Sequence, residues 1–102
     1  MEMKLELVAI PVTDVDRARD FYKDYVGFNL DHEHTLNERL RFVQMTPPSS
    51  VCSICFGIGI ADNMKPGSTR GLQMVVMNTQ AAHDELKKRG VNVTDVNRQV
   101  WG

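Results

Sequence analysis

The sequence predicts an α+β fold made of a β-α-β-β-β module followed by a shorter second copy of the same module. Three observations carry this. An apolar run of strand length, LVAIPV at 7–12, passes directly into a helix start signal, an amphipathic stretch and a glycine stop. Three further strand-type runs follow before residue 61. The order strand, helix, glycine, strand then returns from residue 71, with the stopping glycines Gly27 and Gly90 about 63 positions apart, the spacing expected of a tandem repeat.

In the first strand, Val8, Ile10 and Val12 alternate with Leu7, Ala9 and Pro11, so both faces are apolar and the strand reads as buried. Thr13 precedes Asp16 by three, the spacing of a reciprocal helix cap, and Asp14 and Asp16 suit the positive end of a helix. Val15, Ala18, Tyr22, Tyr25 and Val26, with Phe21 beside them, follow the spacing of one helical face that lies on the sheet. Gly27 ends the helix. A hairpin follows, with strands near 28–35 and 39–46 around a turn at Asn37. Pro47 to Ser50 breaks the chain before VCSICFGIGIA, a fourth strand. The first module therefore spans 1–61 and the polar stretch 62–70 is a linker. The incomplete second module spans 71–102, with a strand at 72–77, a helix at 79–89 stopped by Gly90, and a strand through Val91, Val93 and Val96. By the arithmetic of the repeat it lacks its last two strands, roughly 20 residues, which suggests a fragment.

One domain is all that 102 residues allow. Twelve Lys and Arg against 13 Asp and Glu give a net charge of −1, which leaves no basic footprint for nucleic acid and no polybasic stripe for a membrane surface. No apolar run reaches the ~18 residues of a membrane span, and the amino terminus lacks the order of a signal peptide. Two cysteines, Cys52 and Cys55, fit a reducing compartment, and the expected location is cytoplasmic. Their CxxC spacing lies within a strand run instead of opening a helix, which favours packing over redox or zinc chemistry. His83 is expected on the exposed side of the second helix.

The segments LVAIPVTDVDRARDFYKDYVGF and GLQMVVMNTQAAHDELKKRGV, with PPSSVCSICFGIG between them, resemble the vicinal oxygen chelate superfamily of glyoxalases, bleomycin resistance proteins and extradiol dioxygenases. Order and spacing, more than any one motif, carry the resemblance, and it covers essentially the whole chain. It implies that two modules form a cup-shaped mixed sheet with helices outside, and that the cup holds a metal ion or an organic ligand. Its metal ligands do not carry over. The histidine of the first strand aligns with Leu7 and that of the fifth with Gly71, nothing acidic lies between Cys52 and Ala61, and the glutamate of the last strand falls beyond Gly102.

If Val8, Ile10 and Val12 face the helix, then Leu5, Leu7 and Ala9 face the cup. Leu7, Gln44, Phe56, Gln73, Val75 and Trp101 are the expected ligand-binding residues, a set of apolar and amide groups suited to a small organic molecule. Ordinary core packing is the competing explanation for each. No cofactor, metal or catalytic residue is expected. Function is accordingly expected to be metal-free binding of an organic ligand by a homodimer. One alternative is a metal-dependent lyase, isomerase or dioxygenase with non-standard ligands such as His32 and His34, which share a strand face. Another is an inactive partial copy.

Overall fold

The computed structural model describes residues 1–97 of the chain. Its contacts group into two units, Met1–Leu72 and the chain from Gln73 onward. The first contains strand β1 (Leu7–Ala9), helix α1 (Val15–Asp20), a π-helical continuation (Phe21–Val26), and strands β2 (Asn29–Asn37), β3 (Leu40–Thr46) and β4 (Ser53–Ile58). The second contains helix α2 (Thr79–Lys88).

The four strands form one sheet in the order β1-β4-β3-β2, with β1 parallel to β4 and the other pairs antiparallel. The α+β class and the strand sequence of the first module are as expected. β1 is shorter than the apolar run that encodes it, although the amide of Ile10 bonds to the carbonyl of Cys55 and the amide of Ser53 to that of Glu6, each within 2.9 Å. Gly57, opposite Phe42, admits no side chain, since a Cβ there would fall 1.8 Å from the carbonyl oxygen of Arg41.

The core lies between the helix and one face of the sheet. Ile10, Val15, Phe28, Val43, Met45, Ile54 and Phe56 are buried together, and Val8, Val12, Ala18, Tyr22, Val26 and Leu30 pack against them. The rings of Tyr22 and Phe28 stack at 5.3 Å, and Tyr22 lies 6.0 Å from Phe56.

Several local expectations are corrected. Asp14, not Thr13, caps α1: its carboxylate accepts from the amide of Arg17 at 3.0 Å while its own backbone is extended. The helix does not stay α-helical. From Phe21 it widens to a π-helix, so the four-residue steps from Ala18 through Tyr22 to Val26 stay on the core while Tyr25 turns toward solvent. Gly27 ends it in the left-handed region, at φ 93°, where the amides of Gly27 and Phe28 both bond to the carbonyl of Tyr22.

The strands expected at 72–77 and through Val91, Val93 and Val96 have no ladder partner among the described residues. α2 is capped by Asn78, whose side chain accepts from the amide of Ala81 at 2.9 Å. His83 is not on its exposed side: the ring is only 14% exposed and lies 2.9 Å from Asp84.

Candidate functional site

Register divides the sheet into two faces. Val43 and Met45 are fully buried against the helix, so the alternate residues of β3, Phe42, Gln44 and Thr46, lie on the opposite face. Gln44 pairs with Cys55 and Ala9 with Cys55, which sets Ser53, Cys55, Leu7 and Ala9 on that same open face. From β2 it receives His32, opposite Gln44, and His34, opposite Phe42. The register shift between Leu30 and His32 inserts Asp31 as an extra residue, and this is what turns His32 outward: without it, alternation from Leu30 would return His32 to the core.

The expected ligand-binding residues therefore divide. Leu7, 38% exposed, and half-buried Gln44 share the open face. Phe56 does not. It pairs with Val43, is 0% exposed, and belongs to the core with Tyr22. The aromatic that β3 and β4 place on the open face is Phe42, which sequence reasoning missed although its even spacing with Gln44 was available. Gln73 and Val75 are exposed residues of the second unit, outside any strand. Trp101 lies outside the described residues.

A polar chain crosses one end of this face. The hydroxyls of Thr46 and Ser53 are 2.6 Å apart, and Thr46 donates to the carboxylate of Asp31. Cys55, 3% exposed, has its thiol pushed up by burial, the opposite of what an activated nucleophile needs. On the helix side, Arg41 bonds to Asp16 at 2.6 Å and Glu33 at 2.9 Å, while Arg19 bonds to Glu33 at 2.9 Å and Asp20 at 3.0 Å. That network ties α1 to β2 and β3 and is structural. One groove lies on the helix side, beside Pro11, Thr13 and Tyr22, and another lies beside Pro11, Gly57 and Met64.

The residues present do not fit the metal centre of the fold's enzymes. Leu7 stands on the open face of β1 where an imidazole would be needed, Gly71 has no side chain, and β4 carries no carboxylate. His32 and His34 are adjacent, their rings 6.1 Å apart and 22° from parallel, but among the described residues no group of three His, Cys, Asp or Glu could surround an ion.

Residues 4–102 match the family model of the glyoxalase/bleomycin resistance protein/dioxygenase superfamily. Among solved structures, TnmS3, an antibiotic binding protein from Streptomyces sp. CB03234, is 31% identical, with a TM-score of 0.85 over 99% of this chain and 82% of that one. A glyoxalase/bleomycin resistance protein from the same organism is 31% identical, with a TM-score of 0.81 over 97% of this chain and 85% of that one. A member of the superfamily from Sphaerobacter thermophilus DSM 20745 is 28% identical, with a TM-score of 0.83 over 99% of this chain and 83% of that one. No protein of curated function matches the sequence. Family model, strand order and solved relatives agree, and the chain belongs to the glyoxalase/bleomycin resistance protein/dioxygenase superfamily.

Proposed function

We propose that this protein binds a small organic molecule on the open face of its sheet, without a metal ion and without catalysing a reaction. The observation that carries the reading is that Leu7 and Gln44 share that face with Ala9 and Phe42. Leu7 occupies the position at which a metal enzyme of this fold would need a donor. An aliphatic, an aromatic and an amide hold a planar or apolar ligand by contact area and a few directed hydrogen bonds. The description of TnmS3 as antibiotic binding supports an organic ligand.

The first unit supplies a floor without side walls, and binding a drug-sized molecule requires burying most of its surface. We therefore place a second copy of the chain in the functional form. The free thiols of Cys52 and Cys55 suit a reducing compartment, and we assign the protein to the cytoplasm.

The test is calorimetric titration of the purified chain with a panel of planar apolar antibiotics, alongside Leu7→Asp and Gln44→Ala. At least one compound is expected to bind to the parent chain and to lose about tenfold or more in affinity in Leu7→Asp, because burying an unpaired carboxylate against an apolar ligand is costly. Binding that survives both substitutions, or stoichiometric metal found by elemental analysis, overturns the assignment.

A further inference from the structure

The hydrogen-bond chain Ser53, Thr46, Asp31 has a direction, and that direction restricts what can bind beside it. A threonine hydroxyl owns one proton. Thr46 commits its proton to the Asp31 carboxylate, so the 2.6 Å contact between Thr46 and Ser53 can be made only by Ser53 donating. Ser53 is 6% exposed and anchors the inner end, whereas Asp31 is exposed at the outer end. An ionised carboxylate only accepts. Every proton of the chain is thus spent on the next member, and what the chain offers a visitor is the remaining lone pairs of Thr46 and Asp31. Among the described residues no cation pairs with Asp31, since Arg19 and Arg41 are held on the opposite side of the sheet by Asp16, Asp20 and Glu33. Leu7, in register with Ser53, adds an apolar neighbour to this acceptor end.

We propose that the ligand of the open face carries a hydrogen-bond donor, a hydroxyl or a protonated amine, on an apolar body, and that Asp31 and Thr46 receive that donor. This rests on the binding reading above and adds the polarity of the ligand to it. Alternation from Leu30, on the core side, sets Asp31 on the open face, and the register shift leaves it without a ladder partner of its own on β3.

The experiment titrates the full isotope-labelled chain with 2-naphthol, 2-naphthylmethylammonium and 2-methoxynaphthalene, following the amide signals of β3 and β4. The first two probes are donors of the two kinds and the third has the same body without a donor. Naphthol or the ammonium is expected to bind about tenfold more tightly than the ether, the scale of one charge-assisted hydrogen bond. Asp31→Asn keeps an acceptor for Thr46 while removing the charge, and should cut that preference to about twofold. Thr46→Val should weaken it and Thr46→Ser restore it. Equal affinity of the ether and both donors, with shifts on β3 and β4, overturns the donor assignment and leaves the binding face standing. An unchanged preference in Asp31→Asn also overturns it. Absence of shifts on the open face with all three probes defeats both readings.

Discussion

Phe56 and Gln44 sit on adjacent strands yet belong to different parts of the protein, and substitution separates them. Phe56 is fully enclosed by Val43, Met45, Ile54 and Tyr22, so Phe56→Ala should destabilise the chain by about 3–5 kcal/mol, a large part of the total stability of a small domain. Gln44→Ala removes a half-buried side chain from the open face and should cost less than about 1 kcal/mol. Urea denaturation of the two variants measures both. Charge acts at the same scale. Arg41, through its hydrogen bond, holds the Asp16 carboxyl below its usual range, and Arg19 and then Arg41 do the same for Glu33. A lowered carboxyl pKa stabilises the fold at pH values above the unfolded-state pKa, near 4, and that contribution is lost as pH falls through the folded-state value. Between about pH 5 and about pH 2 the parent chain should therefore lose melting temperature more steeply than Arg41→Gln, in which Asp16 has lost its leading partner. Parallel melting curves across that interval would show that the network does not couple to folding.

At the scale of elements, the helix start offers a direct comparison. Thr13 and Asp14 are both good capping residues, and only local backbone geometry selects between them. Asp14→Ala should cost about 1 kcal/mol, through loss of the bond to the Arg17 amide, while Thr13→Ala should be nearly silent. Thermal melts of the two variants decide it, and the reverse ranking would restore the cap expected from the Thr13–Asp16 spacing. The same limit explains what could be read from sequence elsewhere. The first module's strands, hairpin and glycine stop were legible because each is written in local periodicity or turn chemistry. The facing of β4 was not. SICFGI is apolar or small at every position, so nothing in it distinguishes Cys55 from Phe56, and only its register with Val43 and Gln44 assigns the two faces. Phe56 was misplaced for that reason, and Phe42 overlooked. The bulge at Asp31 and the π-helix at Phe21–Val26 likewise depend on what the neighbouring strand and core require, which no spacing rule within either segment records.

For the whole molecule, the governing fact is that apolar alternation specifies which face a strand buries but not whether it has a partner. Leu72, Met74, Val75, Val76 and Met77 are all exposed, Val75 to 97%, in a stretch of strand-forming composition. Among the described residues, the edges of the first unit's sheet, β1 and β2, each keep one unpaired side. A second copy of the chain, as proposed above, covers such a stretch, and mass action then makes its protection depend on protein concentration. Hydrogen exchange should show the amides of 72–77 exchanging freely in dilute solution and slowing as concentration is raised by about a hundredfold, while those of β3, paired on both sides, stay protected throughout. Val75→Lys should remove the concentration dependence without altering β3, because it places a charge where the second copy would bury a side chain. Exchange at 72–77 that stays fast at every concentration, with a single monomeric boundary in sedimentation, would show that the sheet face of one chain meets its ligand alone.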